Sequence, residues 1–403
     1  MVFAWLLHKL KGDKVIWITV ILLSLISLLA VYSSSSALAY RVHGGNAGFY
    51  LMKHGVLLLI GFVVMFAVHL LDYRVFARFT NVLLFITIGL LLYTIANGSQ
   101  INEAARWIKV FGLTFEPSDF AKITLMIYLA KLLTQRQDVI KDFTDGFLPA
   151  LFWVIVLCGL IAPTNLSTAI LLFLASLMVM FIAGVDLKFL GVLVLVAMMG
   201  LVILVNTAER SSTWKTRWND YVLRITDDTY KGEAQTVQAN VALSTGGLIG
   251  KGMGKSSQRN VLPLAHADYI FAIIVEEYGL VGGLVIIAIY LVILFRSVMI
   301  ATVSKTFGAL TAAGLAFILV LQAMMNLGVT VGLLPITGLT LPLVSMGGTS
   351  IVMTGLSLGI ILSVSREALN KKSGAQEFDP KKPNFFNRNN PNTPKAKPAM
   401  ARA

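Results

Sequence analysis

The chain has 403 residues, of which 57% are hydrophobic and only 13% are charged, and its mean hydropathy is +0.79. Long apolar runs at such low charge density exclude a soluble globular protein and are typical of a polytopic membrane protein. The basic residues behind the net charge of +13 lie at the ends of the apolar runs, in one large loop and in the C-terminal tail, which predicts contact with anionic lipids and no nucleic-acid binding. The chain has one cysteine, Cys158, which lies inside an apolar run. A disulfide within the chain is excluded because it would need a second cysteine.

About ten apolar stretches are long enough to cross the hydrocarbon of a bilayer, about 30 Å, as helices. In chain order they lie at 15–39, 55–71, 79–97, 117–134, 146–162, 166–184, 187–206, 268–296, 307–331 and 340–364. The first is too long for a signal peptide and has no small-residue cleavage site, so it is interpreted as a span. The sequence therefore predicts an all-α polytopic membrane protein whose membrane domain covers residues 15–366, after a cytoplasmic N-terminus of residues 1–14.

The distribution of lysine and arginine predicts the orientation. With the N-terminus in the cytoplasm, most basic residues fall on the inner side, and the short outer loops hold only Arg41, Lys53, Arg106 and Lys109. The positive-inside rule thus favours both termini in the cytoplasm. Residues 207–267 then form one large extracytoplasmic loop between helices 7 and 8, since long loops translocate regardless of charge. Residues 367–403, rich in Pro, Asn and Lys from 373 onwards, are predicted to be a basic disordered cytoplasmic tail.

Ionisable residues inside the predicted spans need a reason, because each costs at least about 2.5–3.5 kcal/mol at the centre of a membrane helix. Asp119 and Lys122 are three residues apart and share a helix face, which suits either a structural ion pair or a lysine that binds an anion in a cavity open to the outer leaflet. Glu276 and Glu277 point to different sides, so at most one is expected to line a cavity with Asp268. Asp268 itself stands at the mouth of an apolar helix, beside the large loop, and is the main catalytic candidate.

Two segments rich in glycine or proline interrupt the apolar pattern. Residues 244–256 end in Gly-Lys-Ser but lack the earlier glycine that a P-loop requires, because Ile249 occupies that position. This segment is interpreted as flexible or tightly turning backbone near a ligand. Residues 333–348 place Pro and Gly at membrane depth, where broken backbone is tolerated if it is buried in protein or lines a cavity.

These segments resemble the SEDS family (shape, elongation, division and sporulation), and the resemblance covers residues 15–366. It is carried by Tyr32-Ser33-Ser34-Ser35, Arg106-Trp107-Ile108, Glu116-Pro117-Ser118-Asp119 with Lys122, the glycine run 246–254, Leu262-Pro263 through His266 and Asp268 to Phe271, Glu276-Glu277, and the stretch 338–348. Within that stretch, Gly338-Leu339-Thr340-Leu341-Pro342 is more similar to the division member of the family than to the elongation member, which usually reads Gly-Val-Pro-Leu-Pro.

The chain departs from the family pattern at a few positions. Leu264 stands where the family usually has Glu, and Glu103 stands where it has Gly. Asn165 replaces the Asp of a common Pro-Asp-Leu-Gly-Thr-Ala motif, and Ile336-Thr337 replaces Thr-Lys. The side-chain roles known in the family are therefore not assigned to these positions.

The resemblance implies a peptidoglycan glycosyltransferase that polymerises lipid II during cell division. We expect Asp268 to act as general base on the 4-hydroxyl of the acceptor sugar, while Lys122, Arg106 and Arg217 stabilise the departing pyrophosphate. Direct attack would invert the anomeric configuration and a nucleophilic role of Asp268 would retain it, and the sequence leaves both open. The remaining members of the expected substrate-binding set are Trp107, which either packs against substrate or anchors the interface, His266, Glu276, Glu277 and Ser345.

No cofactor is firmly implied, although a divalent cation, Mg²⁺ or Mn²⁺, could share the pyrophosphate charge. Besides lipid II, the expected partners are a class B penicillin-binding protein that supplies the transpeptidase, other membrane proteins of the divisome, and anionic lipids. The expected location is the bacterial cytoplasmic membrane at the division septum. The alternatives are a lipid II flippase, an elongation polymerase and a non-catalytic scaffold. A transporter is disfavoured because the two halves show no matching broken helices, and a scaffold gives no reason for Asp268, Lys122 and Arg106 to converge.

Overall fold

A computed structural model describes residues 11–42, 46–97, 99–101, 104–110, 113–208, 210–227, 229–230, 232–262 and 265–372. The described chain is almost entirely helical, so the predicted all-α membrane fold is confirmed. In the first half the helices are Lys14–Ser34 (α1), Ser36–Val42 (α2), Ala47–Leu70 (α3), Arg74–Asn97 (α4), Pro117–Gln135 (α5), Leu148–Ile161 (α6) and Leu166–Ala183 (α7). In the second half they are Leu187–Thr207 (α8), Ser211–Thr226 (α9), Ala234–Gly246 (α10), Ile270–Val303 (α11), Thr306–Thr330 (α12) and Ser350–Lys372 (α13).

Within the described residues, nine helices are long and apolar enough to cross a membrane. The remaining predicted span, α5, is also a helix, but it is less apolar because Asp119, Lys122 and Lys131 lie among its 19 residues. It packs against α4, α6, α7 and α12, and Asp119 and Lys122 are buried in protein. A helix with ionisable residues is stable in a bilayer when those residues face the bundle interior.

A small antiparallel sheet connects α4 to α5, and the sequence analysis did not predict it. Its strands are Ser99–Ile101 (β1), Ala104–Val110 (β2) and Leu113–Phe115 (β3), in the order β1-β2-β3. In the β2–β3 pair Ile108 lies opposite Phe115. Strands this short give almost no periodic signal. The sheet matters because β2 carries Arg106 and Trp107.

The segment 207–267 was predicted as a loop, and that description is wrong in part. It contains α9, α10 and a turn of 3-10 helix at Gln258–Asn260. We call the end of the bundle formed by residues 99–115 and 208–269 the loop end. These two groups meet at residues 338–349, since Thr349 Oγ1 donates to Thr114 O (2.9 Å) and Met346 N donates to His266 O (2.9 Å).

The last span also differs from the prediction. Residues 340–349 are not helical, and α13 begins only at Ser350. Pro342 lacks the backbone donor that a helix interior needs, and Gly348 has a positive φ of 56°. At its other end α13 continues to Lys372, so residues 367–372, which were predicted to belong to the tail, are helical; residues 373–403 lie outside the described residues.

The helix α11 is broken at Gly279, where φ is 72° and ψ is −173°. The break leaves the carbonyls of Glu276 and Glu277 available, and they accept hydrogen bonds from Lys251 N (2.9 Å) and Gly252 N (3.0 Å). On the other side of the break Leu280 N donates to Gly247 O (2.9 Å). The glycine run 246–254 therefore packs against the backbone of α11. This contact explains its tight turns, which were predicted to lie near a ligand.

At the opposite end of the bundle, ion pairs join helices that are distant in sequence. Arg74 of α4 pairs with Glu367 of α13. Arg296 of α11 pairs with Asp13, the N-cap residue of α1. The first pair connects α4 to the last span and the second connects α11 to the first span, both at the end that faces away from Asp268.

Candidate active site

Asp268 lies in the turn directly before α11, and the turn is held by its backbone. The carbonyls of His266, Ala267 and Asp268 each accept one hydrogen bond from the second half of the chain. The donors are, in that order, Met346 N (2.9 Å), Ser345 Oγ (2.6 Å) and Asn326 Nδ2 (2.8 Å). Three successive anchored carbonyls fix the position of the Asp268 side chain before any substrate arrives.

The Asp268 carboxylate is shielded by its neighbours but has no direct partner. Among the described residues it accepts no hydrogen bond and forms no ion pair. Burial raises the pKa of Asp268 above its ordinary value, while the positive charges of Arg106 and Arg217 act in the opposite direction. A carboxylate with a raised pKa and free oxygens is suited to accept a proton near neutral pH.

Gly338 separates Asp268 from Arg106. A Cβ at this position would lie 3.7 Å from Asp268 Oδ2 and 3.9 Å from each Nη atom of Arg106, and φ of Gly338 is +66°. The absence of a side chain therefore leaves space between the carboxylate and the guanidinium. A phosphate or sugar group could contact both from that space.

Arg106 and Trp107 form a stacked pair at the edge of this space. The guanidinium carbon of Arg106 lies 4.1 Å from the centroid of the Trp107 ring. Arg106 Nε is buried and has no hydrogen-bond partner among the residues that the structure describes. Arg–aromatic stacking orients the guanidinium plane without occupying its donors.

Arg217 reaches the site from α9. Its Nη1 donates to Ile336 O (3.3 Å), so one donor is used to hold the segment 332–336 while the charge still acts on Asp268. The positive charges of Arg106 and Arg217 both act on Asp268, whereas Lys122 is paired elsewhere. The substrate contact of these residues stays a prediction.

Lys122 is already paired. Its Nζ lies 2.6 Å from Asp119 Oδ1 and donates to Gln322 Oε1 at 2.6 Å, and the residue is 8% exposed. The structure therefore favours the ion-pair alternative for Asp119 and Lys122. A small cavity of about 30 Å³ lies beside the pair, enough for a single water molecule.

Glu276 anchors the loop that leads to Asp268. Its carboxylate pairs with Lys251 (2.5 Å) and accepts hydrogen bonds from Ser257 Oγ (2.8 Å), Ser257 N (3.2 Å) and Gln258 N (3.2 Å) as well as from Ser256 Oγ. It is 0% exposed, so this set of donors compensates the loss of water around its charge.

Glu277 has a different partner, as its position on the other side of α11 requires. It accepts a hydrogen bond from Ser33, and Arg259 Nη1 donates to the same serine hydroxyl at 3.4 Å. Both glutamates are thus engaged in structural contacts with other residues and not with Asp268 in the part of the chain that the structure describes.

His266 and Ser345 also lie beside Asp268. Burial lowers the pKa of His266, so its imidazole is neutral at physiological pH and adds no positive charge. Ser345 Oγ donates to Ala267 O and accepts from Leu341 N (2.8 Å), which uses its hydroxyl for the backbone. Glu103 and Leu264, where the family pattern changes, lie outside the described residues.

Sequence reasoning missed three residues of this region. Gln322 Nε2 donates to Thr340 O (2.9 Å), and Asn326 Nδ2 donates to Leu339 O (2.7 Å) as well as to Asp268 O. Two amide side chains four residues apart on the apolar α12 could have indicated these contacts, because a buried polar residue in a span needs a hydrogen-bond partner. The third is Glu116, which accepts from Ser118 Oγ and Asn165 Nδ2, both at 2.8 Å.

A resident divalent cation does not fit this site. Within the described part of the chain, no three His, Cys, Asp or Glu side chains come together in a way that could hold a metal ion. The charged groups that act on Asp268 are guanidinium groups, which would repel a cation. No step below therefore depends on a metal.

The Asn326 side chain offers a direct test of the anchored turn. Asn326→Leu removes both donors from Asp268 O and Leu339 O, and each buried carbonyl left without a partner costs about 1–3 kcal/mol. We expect a lower midpoint of thermal unfolding in detergent. The matched control is Thr330→Val one turn further along α12, which removes only a hydrogen bond to Asn326 O within the helix (2.9 Å). Equal midpoints for the two variants would contradict the anchoring role.

Comparison with known proteins identifies the family. Residues 13–370 match the family model described as cell cycle protein, which groups FtsW, RodA and SpoVE. The chain is 34% identical over 361 residues to the probable peptidoglycan glycosyltransferase FtsW of Geobacter sulfurreducens, covering 88% of this chain and 95% of that protein. It is 32% identical over 373 residues to stage V sporulation protein E of Bacillus subtilis, covering 89% and 98%.

Solved structures show the same fold. A chain from a study of how a peptidoglycan synthase complex coordinates polymerization and crosslinking matches with a TM-score of 0.68 and 27% identity, covering 89% of this chain and 98% of that one. The rod shape determining protein RodA of Thermus thermophilus matches with a TM-score of 0.66 and 25% identity, covering 89% and 97%. The chain therefore belongs to the SEDS family of peptidoglycan glycosyltransferases, multi-pass proteins of the bacterial cytoplasmic membrane.

Proposed function

We propose that this chain polymerises lipid II into glycan strands during cell division, with Asp268 as the general base. The observation that carries the proposal is the Asp268 carboxylate, which is shielded and unpaired and lies near two guanidinium groups. Its position at the end of a membrane helix suits a substrate whose sugars lie in water and whose prenyl chain lies in the bilayer. The names of relatives such as the Geobacter FtsW support the division role.

In the proposed reaction Asp268 accepts the proton of the acceptor's 4-hydroxyl. The hydroxyl oxygen forms a bond to the anomeric carbon of the donor, and the bond from that carbon to the pyrophosphate oxygen breaks. The negative charge that develops on the leaving group is stabilised by Arg106 and Arg217. Direct attack of this kind inverts the anomeric configuration, and we favour it because it needs only one carboxylate, Asp268, beside the arginines that stabilise the leaving group.

Lys122 takes a positioning role in this proposal. Its ammonium already pairs with Asp119 and Gln322, so moving it to the pyrophosphate would leave Asp119 as a buried unpaired charge. Gln322 also binds Thr340 O at 2.9 Å. Through this amide, Lys122 supports the segment 338–348, which surrounds Asp268.

We further propose a class B penicillin-binding protein as partner, which would supply the transpeptidase. The similarity to a chain from a peptidoglycan synthase complex supports this assignment. Other membrane proteins of the divisome are expected partners because the chain resembles the division member of the family.

A flippase would need to open the end of the bundle opposite Asp268. There Arg366 Nη1 donates to Leu70 O (2.8 Å), next to the Arg74–Glu367 and Arg296–Asp13 pairs. Opening would break these contacts together, and nothing in the described chain replaces them. The geometry therefore supports a polymerase better than a carrier.

The two functions are separated by one experiment. The purified chain and its class B partner are reconstituted in vesicles that contain lipid II labelled on the peptide. The proposal predicts conversion of the label into glycan strands that a muramidase degrades. Label that crosses the bilayer and forms no polymer would overturn the proposal in favour of a flippase.

A further inference from the structure

The helix α9 lies across the loop end of the bundle. Next to its first turn, Arg210 Nη1 donates to Thr164 O (2.8 Å), in the turn between α6 and α7. In its last turn Arg224 Nη2 donates to Gly332 O (3.1 Å), just after α12 ends. Its 16 residues extend about 24 Å, so α9 connects the ends of separate spans and does not project away from them.

The start of α9 is also close to the membrane surface. It begins at Ser211, four residues after the last residue of α8, Thr207. Four residues reach at most about 14 Å even when fully extended. Because α8 is one of the spans, α9 begins near the level at which α8 leaves the hydrocarbon.

The inner face of α9 holds the segment 332–336. Arg217, Tyr221 and Arg224 follow each other at helical spacing and donate to three carbonyls of that segment. The acceptors are Ile336 O (3.3 Å), Leu333 O (2.9 Å) and Gly332 O (3.1 Å). This face also brings the charge of Arg217 to Asp268.

A second face of α9 is apolar and exposed. Trp218 is 58% exposed, Val222 36% and Ile225 61%. These residues are four and three apart, so they form one stripe along the helix. Ser212 and Thr216 are polar and exposed on the side away from the stripe, where Leu223 is also 42% exposed, so the exposed surface of α9 is apolar on one side and mixed on the other.

The span that precedes α9 also exposes apolar residues. On α8, Val202 is 61% and Ile203 is 62% exposed near the end that leads into α9. Exposed apolar residues at this level have lipid as their natural surroundings, and tryptophan is enriched where hydrocarbon meets headgroups.

We propose that α9 is an interfacial membrane helix that docks on the bilayer surface. Trp218, Val222 and Ile225 enter the boundary between headgroups and acyl chains, typically about 5–10 Å deep, while Ser212 and Thr216 face water. The bilayer surface then fixes α9, and α9 fixes the segment 332–336 and Arg217. The membrane thereby becomes part of the scaffold around Asp268.

Site-directed spin labels measure this arrangement without any assay of activity. In a Cys158→Ser background, single cysteines replace Trp218, Val222 and Ile225 in one set and Ser212 and Thr216 in the control set. Each labelled full-length chain is reconstituted in vesicles of phosphatidylethanolamine and phosphatidylglycerol. Collisions are measured with oxygen, which concentrates in lipid, and with a nickel chelate, which stays in water. We expect oxygen to dominate at the first set and the chelate at the control set.

Two results would overturn the proposal. Dominance of the nickel chelate at all five positions would place the stripe in water. Exclusion of both reagents from residues 218, 222 and 225 would show that protein covers the stripe, either another part of this chain or a second copy. Since three positions report on the stripe independently, a label that disturbs one of them does not decide the outcome. Loss of the proposed polymerase activity would leave these accessibilities unchanged, so the two proposals fail separately.

Discussion

Replacement of Asp268 by asparagine is expected to slow polymerisation by roughly 10²–10⁴-fold, the usual contribution of a general base. Asparagine keeps the shape of the side chain and the backbone contacts of residues 266–268, but it cannot accept the proton. The measurement is the initial rate of glycan formation by the purified complex with its class B partner. A rate within a factor of about three of the wild type would remove Asp268 from the mechanism.

The same substitution is expected to leave the thermal midpoint unchanged or to raise it. Because burial raises the pKa of Asp268, its contribution to stability is complete below the pKa of the unfolded chain and is lost as pH rises through the folded pKa. At neutral pH the buried carboxylate is therefore a net cost, which asparagine removes. An inactive variant with an unchanged or higher midpoint of thermal unfolding lacks only the catalytic group. An inactive variant with a much lower midpoint is inactive because it is unfolded.

Replacement of Gly279 by alanine is expected to prevent accumulation of folded protein. A Cβ there would lie 2.2 Å from Leu248 O, and the φ of +72° is a conformation that L side chains rarely adopt. Backbone strain of this kind alone costs about 1–3 kcal/mol, and the clash with a carbonyl adds to it. Gly250→Ala should behave alike, since its Cβ would lie 2.2 Å from Glu277 O.

The control for this prediction is Gly159→Ala in α6, where nothing lies within 4 Å of the added Cβ. Alanine is favoured over glycine in a helix by roughly 0.5–1 kcal/mol, so this variant should be as stable as the wild type or slightly more stable. The readout is the monodisperse fraction in size-exclusion chromatography and its loss on heating. Equal behaviour of the Gly279 and Gly159 variants would contradict the close approach of the two backbones.

The spans were predictable because hydropathy is a local property. A stretch of apolar residues must be helical in a bilayer, since no water is present to satisfy its backbone groups. Hydropathy marks the ends of a span less clearly than its middle. The prediction therefore missed that residues 340–349 are irregular. Pro342 and Gly348 marked that irregularity, but their consequence depends on neighbours such as Ser345 that bind the freed backbone groups.

The neighbours of Asp268 could not be derived from spacing. Arg106, Arg217 and Gly338 belong to three segments that are more than a hundred residues apart, and tertiary folding alone brings them together. Their assignment came from the family resemblance. The partners of Glu276 illustrate the same limit, because Lys251 and Ser257 lie on a loop that only the break in α11 places beside it.

The helices of the large loop were missed for a different reason. The segment 211–226 has mixed polarity, and its apolar residues do not form the continuous run that identifies a span. Its amphipathic pattern was nevertheless present in Trp218, Val222 and Ile225, whose spacing fits a helix. Attention to helical periodicity within predicted loops would have found it.

The central claim, that Asp268 accepts the proton of the acceptor sugar, is tested most directly by the pH dependence of the initial rate of polymerisation. The carboxylate is the active form, so the rate should fall as pH decreases through a pKa above the ordinary value for aspartic acid. Because the charge of Arg106 lowers that pKa, Arg106→Gln should move the acidic limb to higher pH in addition to reducing the maximum rate. An acidic limb at the same pH in both proteins would contradict the assignment of Asp268 as the base.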